Sequence, residues 1–193
     1  MHAIVSTMLD LEHLAPQRLK IWTRSEYDRL VALGAFHDER IELLRGQLVT
    51  MSPQGEPHAG ITAWFMQALV RALDPSYEVR AHSPFAASDD SEPEPDVSVS
   101  CPEGGGHPRS ALLIIEVSDS SLRIDRSIKA GIYARNGVPE YWIVDVQARA
   151  IEIRTQPADD GYAHVDRVTT GLLRPTLLPS VVLDVLAVPW PPR

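Results

Sequence analysis

Asp96 and Glu116 are the residues around which chemistry can be organised. They lie in two strand-like runs, Pro95-Asp96-Val97-Ser98-Val99-Ser100-Cys101 and Leu112-Leu113-Ile114-Ile115-Glu116-Val117. The segment between, Pro102-Glu103-Gly104-Gly105-Gly106-His107-Pro108, is dense in turn residues. A hairpin centred on Gly106 sets Asp96 opposite Glu116 on one face, where Cβ atoms are ~4.5–5.5 Å apart. On the other face Val97, Val99 and Cys101 meet Ile115, Leu113 and Ala111, all suited to a core. Two opposed carboxylates destabilise a sheet unless one holds a proton or a cation sits between them. A hard divalent ion suits such a pair, completing its shell with water and phosphate oxygens. A different register would leave both acids ending their strands in solvent, because loops of this length often carry bulges.

A second group of side chains follows on a helix expected from about Ile124 to Arg135 and closed by Asn136-Gly137. Asp125, Lys129 and Tyr133 are spaced to share one face, beside an apolar stripe of Ile124, Ile128 and Ile132. If the stripe packs on the sheet, Lys129 borders the buried face. The bland alternative is an Asp125–Lys129 surface pair contributing ~0.3–0.5 kcal/mol.

The elements that position these groups read as one mixed α/β unit. Residues 1–20 lack periodicity and are expected to be a loosely attached arm, with one domain over 21–193. Thr23 and Glu26 form a capping-box pair before a short helix that Gly34 closes. Residues 40–44 and 47–51 read as strands joined at Arg45-Gly46. Pro57 opens a helix to about Leu73 with Ile61, Phe65, Ala68, Leu69 and Ala72 as its apolar face. Strands are expected at 77–81, 97–101, 112–117, 141–146, 150–155 and 162–169, and residues 178–183 form a strand or extended cover. Tyr141 and Trp142 read as core.

Glu42, between Ile41 and Leu43, faces away from their apolar side and by itself is an exposed strand residue. His58 falls in the first turn of its helix, solvated or placed near a phosphate or leaving group. His82, His107 and His164 lack metal-ligand spacing and read as surface residues. The acidic run Asp89-Asp90-Ser91-Glu92-Pro93-Glu94 reads as a solvated loop.

The chain has 193 residues and a net charge of −8, which offers no broad positive surface for a nucleic acid. Any such binding must rest on a local basic patch, a bound metal or another subunit. Cys101 is the only cysteine, which excludes an internal disulfide and a multi-cysteine zinc site. No run approaches the ~20 apolar residues that span a bilayer, and no signal peptide is recognisable, so the cytoplasm is the expected compartment. No phosphate-binding glycine loop, serine nucleophile elbow or dinucleotide fingerprint is present.

Read in order, Glu42-Leu43-Leu44-Arg45-Gly46-Gln47-Leu48, Met51-Ser52-Pro53, His58, Pro95-Asp96-Val97, Glu116-Val117-Ser118, Asp125, Lys129, Tyr133 and Gly137-Val138-Pro139-Glu140-Tyr141-Trp142 resemble the Uma-two family. That family belongs to the PD-(D/E)XK endonuclease-like superfamily, and the likeness runs from about Trp22 to Val188. The resemblance implies a restriction-endonuclease-like fold and a phosphodiesterase site. Asp96 and Glu116 would bind Mg²⁺ or Mn²⁺, with the Val117 carbonyl as a further ligand and Glu42 as an upstream acid holding the metal or its water. The superfamily lysine normally lies two residues after the second acid, where this chain has Ser118; Lys129 on the following helix fits in its place.

The implied activity is metal-dependent hydrolysis of DNA, by analogy in a homodimer. Two alternatives stand beside it. One is a binding or assembly protein that keeps the scaffold without turnover, which the acidic charge favours. The other is hydrolysis of another phosphodiester, RNA or a nucleotide. Basic residues flanking the cleft would favour a polymer, and a small closed pocket a nucleotide.

Overall fold

A computed structural model describes residues 18–102 and 104–192. The chain runs α1 (Arg24–Ala32), β1 (Ile41–Leu44), β2 (Gln47–Thr50), α2 (Glu56–Ala72), β3 (Glu78–Ala81), β4 (Val97–Ser100) and β5 (Leu113–Ser118). Next comes a helix in three stretches: α3 (Leu122–Ile124), a π segment (Asp125–Lys129) and α4 (Ala130–Arg135). Strands β6 (Glu140–Asp145), β7 (Ala150–Ala158), β8 (Gly161–Val168), β9 (Leu172–Leu173) and β10 (Leu183–Asp184) complete it, with a 3₁₀ turn at Val185–Ala187.

Strands β3 to β8 form one six-stranded sheet in sequence order. Every neighbouring pair is antiparallel except β5 and β6, which are parallel and joined by the three-part helix. Alternation along the strands sorts two cores. On one face Val97, Val99, Leu113, Ile115, Val117, Trp142 and Val144 pack against Ile61, Phe65 and Leu69 of α2 and against Leu178, Val181 and Val185 of the C-terminal segment. On the other, Ile114, Tyr141 and Ile143 meet Ala130, Ile132 and Tyr133, with Phe85 and Leu44 alongside. Each such fully buried aliphatic or aromatic side chain contributes about 1.5–3 kcal/mol. The sheet is thereby fixed between two layers, and an even-numbered residue of β5 such as Glu116 points at the helix that follows.

Local signals in the chain account for the element ends. Both halves of the Thr23–Glu26 capping box are made. Arg45 and Gly46 adopt φ of 50° and 74°, the paired left-handed geometry of a two-residue hairpin turn. A Cβ on Gly46 would also strike Ile21. Of the expected arm, residues 1–17 lie outside the described residues. At its end Lys20 Nζ bonds Glu26 Oε1 at 2.7 Å, and just beyond it the Trp22 N–H donates to the Gly46 carbonyl at 2.9 Å.

Several expectations need correction. Cys101 is exposed rather than part of the core facing Ala111. The acidic run is not wholly solvated: Ser91 and Glu92 are buried, because Glu92 bridges to Leu43 of β1. The stripe Ile124, Ile128 and Ile132 does not pack as a unit, since Ile128 is exposed while Asp125, Lys129 and Tyr133 are buried. The π segment is the reason. Its wider turn, in which the Ala130 N–H reaches back to the Asp125 carbonyl, rotates the polar face toward the sheet.

Candidate active site

The β4–β5 ladder pairs Val97 with Ile115, Ser98 with Ile114 and Val99 with Leu113. This is the register in which Asp96 and Glu116 stand opposed, one step beyond the Val97–Ile115 pair. Both acids are buried, at 5% and 3% exposure. They share a cleft of about 290 Å³ with Glu42, His58, Asp125 and Lys129.

Asp96 is held from three sides. The Val117 N–H donates to Oδ2 at 2.8 Å, His58 Nε2 lies 3.1 Å from the same oxygen, and His82 Nδ1 lies 3.4 Å from Oδ1. The imidazoles stack with centroids 6.4 Å apart, and Gln54 Nε2 reaches both His82 Nδ1 and Asp96 Oδ1, at 3.1 and 3.4 Å. Burial alone pushes the Asp96 carboxyl up; hydrogen bonds from His58 and His82, the His58 charge and the Val117 N–H outweigh it and hold the carboxyl below the usual range.

Glu116 has different company. Lys129 Nζ donates to its Oε1 at 3.0 Å and Tyr133 Oη to the same atom at 2.7 Å. The ammonium also lies 2.9 Å from Glu42 Oε1. Glu42 in turn accepts the Glu94 N–H at 2.6 Å, which fixes the β1–β2 hairpin over the end of the sheet. Burial pushes the Glu116 carboxyl well up; Lys129 opposes this, and Asp96, Asp125 and Glu42 add to it. For Lys129, burial favours the neutral amine, but Glu116, Glu42 and Asp125 together keep it protonated and raise its pKa. Both upward shifts share one contribution: a single buried ammonium stands among several carboxylates.

Asp125 is buried one turn before Lys129, and its Oδ2 accepts from Ser118 Oγ at 2.7 Å and Ser121 Oγ at 2.6 Å. Ser118 thus anchors Asp125. The Asp125–Lys129 surface pair is excluded, because both residues are buried and each bonds elsewhere.

Glu42, His58, Asp96, Glu116, Ser118, Asp125, Lys129 and Tyr133 are therefore gathered in one place, with Val117 contributing its N–H to Asp96. Glu42 is buried, not the exposed strand residue its alternation suggests. His82 is the residue that spacing arguments miss. Its contact with Asp96 follows from the chain path beyond β3, where the His82 N–H bonds the Asp96 carbonyl at 3.2 Å. His107 and His164 are exposed.

The charge balance of the cleft limits what it can hold. Six carboxylates line it (Glu42, Glu94, Asp96, Glu116, Asp119 and Asp125) against Arg40 and Lys129. Arg40 is itself engaged by Glu94 at 2.7 Å. Among the described residues no three acid, histidine or cysteine side chains converge as a ready metal cage. The oxygen-rich set fits a hard divalent ion held by one or two carboxylates, with water or phosphate oxygens completing its shell.

A family model described as "Uma2: Putative restriction endonuclease" matches residues 24–186. No curated protein matches the chain. Among solved structures, a "putative nuclease belonging to DUF820 from Anabaena variabilis" superposes with a TM-score of 0.68 at 15% identity, over 86% of this chain and 96% of that one. The type IIG restriction endonuclease BpuSI gives a TM-score of 0.39 at 19% identity, over 58% of this chain and 14% of that one, too slight a likeness to carry an argument.

Proposed function

This chain belongs to the Uma2 family and has a restriction-endonuclease-like fold, and from that premise we propose that it is a divalent-metal-dependent endonuclease acting on DNA. The observation that supports the reading most is the placing of two buried acids, Asp96 and Glu116, on one sheet face, with Lys129 bridging from Glu116 to Glu42. Asp96 and Glu116 would hold Mg²⁺ or Mn²⁺, with Glu42 and the Val117 carbonyl as the further ligands. When bound, the ion supplies Lewis acidity toward phosphoryl oxygens and lowers the pKa of a coordinated water.

The remaining chemistry belongs to the protein's own groups. Lys129 carries a positive charge into a site whose other basic lining residue, Arg40, is turned to Glu94, so it orients the attacking water and stabilises charge growing on phosphoryl oxygen. Glu42 keeps that ammonium in place. Tyr133 fixes the Glu116 carboxylate, and His58 with His82 fixes that of Asp96. Fixed groups of this kind need little rearrangement as the reaction proceeds, which is where such a site gains rate.

The acidic lining favours a second reading, a nuclease-fold binding protein without turnover, and it means that DNA must be held by bound cation or by a second copy of the chain. No described helix is long and apolar enough to cross a membrane. A panel of duplex DNA, single-stranded DNA and RNA oligonucleotides, each with Mg²⁺, Mn²⁺ or chelator, tests the proposal. Cleavage of DNA that requires metal supports it. Cleavage of RNA alone transfers the activity to another phosphodiester, and no cleavage of any oligonucleotide favours the binding reading.

A further inference from the structure

The same cleft holds a buried acid whose bonding is incomplete. Asp125 is 1% exposed, and both serine hydroxyls that reach it donate to Oδ2. Its other oxygen, Oδ1, is buried and has no hydrogen-bond partner. A carboxylate oxygen out of reach of water and left unbonded is costly, and a fold keeps one only where something offsets it. The backbone around it is fixed, since Tyr141 Oη donates to the Asp125 carbonyl at 3.2 Å.

One helical turn on, in the same π segment, is a cation with a conflict of its own. Lys129 Nζ occupies Oε1 of Glu116, the carboxylate read above as a ligand of the metal. An ammonium and a divalent ion compete for that carboxylate, and the ammonium must give way without leaving its charge stranded in a buried site. Its attachment is to one oxygen of Glu42, Oε1, so that acid can still offer its other oxygen to the metal or its water, and the flexible lysine stem allows the ammonium to turn about that anchor. Residues four apart on one helix are neighbours, so Asp125 is within the reach of such a turn.

We propose that Asp125 is a positioning residue that receives the Lys129 ammonium when a cation takes Glu116, and that it thereby sets how tightly the site binds that cation. The inference rests on the reading of Glu116 as a metal ligand. It explains why a buried acid with one unbonded oxygen is kept beside Lys129, and why the wide helical turn holds both residues inward.

Mn²⁺ titration of the full chain tests it, followed by calorimetry on wild type, Asp125→Asn, Lys129→Met, the double variant and Glu116→Gln. Asp125→Asn should weaken Mn²⁺ binding about tenfold where Lys129 is present, within the usual range of coupling between contacting residues. It should cause no further loss where Lys129 is already Met. Equal loss in both backgrounds would make Asp125 a direct ligand or a structural residue, and no loss in either would also overturn the proposal. A crystal structure of wild type with Mn²⁺ is the check that needs no variant. Lys129 Nζ should lie within hydrogen-bond distance of Asp125 Oδ1, and an ammonium still seated on Glu116 would overturn the idea. Wild type that binds no Mn²⁺, or Glu116→Gln that binds it unchanged, would remove the underlying reading together with this one.

Discussion

Lys129 donates to Glu116 Oε1 at 3.0 Å, a contact between a helix residue and the strand immediately before it that places a positive charge within the acidic end of the sheet. The same ammonium reaches Glu42 on the β1–β2 hairpin, so three separate pieces of chain meet at one atom. A buried pair of this kind is poor evidence for stability, because desolvating the charges costs about as much as their attraction returns. Its retention is better explained by what the groups do.

Replacing Lys129 with Met should therefore separate binding from turnover. Mn²⁺ affinity should stay the same or rise, since the ammonium competes for Glu116, while DNA cleavage should slow by about 10²–10³-fold. Calorimetry and single-turnover cleavage on the same preparations measure the two. Lost metal binding in this variant would mean that Lys129 organises the carboxylates and takes no part in the reaction.

His58→Ala should weaken the hold on Asp96, whose carboxyl is kept low first by the His58 hydrogen bond against the upward push of burial. A depressed carboxylate pKa stabilises the fold above the unfolded pKa, and that stability is lost as pH falls through the folded one. The variant should consequently unfold at higher pH on the acid side than wild type, measured by circular dichroism across an acid titration. Coincident acid transitions would show that His58 does not support Asp96.

Glu92 gives the opposite pH dependence. Burial, with Asp28 nearby, pushes its carboxyl up to about 7, and its Oε2 lacks a hydrogen-bond partner. The folded state then binds the proton more tightly than the unfolded chain, so Glu92 costs stability as pH rises from about 4.5 toward 7. Glu92→Gln should stabilise the protein by about 1–2 kcal/mol at pH ~8 and have little effect near pH ~5. Denaturant melts at the two pH values decide it, and equal effects at both would show that Glu92 does not titrate there.

Much of this molecule is legible in its sequence wherever the signal is local. The Thr23–Glu26 box, the Arg45-Gly46 turn and the opposed placing of Asp96 and Glu116 all follow from spacings of a few residues or from a glycine-centred hairpin. Burial of Glu92 and the approach of His82 to Asp96 depend on segments far apart in the chain, which carry no periodic trace. The helix of Lys129 misleads for another reason. A 3.6-residue period assigns Ile128 to the core, but the π segment between Asp125 and Lys129 turns that side chain outward and brings the charged pair in.

The most direct test is nicking of supercoiled plasmid by wild type and by Glu116→Ala, each with Mg²⁺, Mn²⁺ or EDTA. The account predicts nicking by wild type that needs metal and is lost in the variant. No nicking by wild type, or nicking that survives the loss of Glu116, would contradict it.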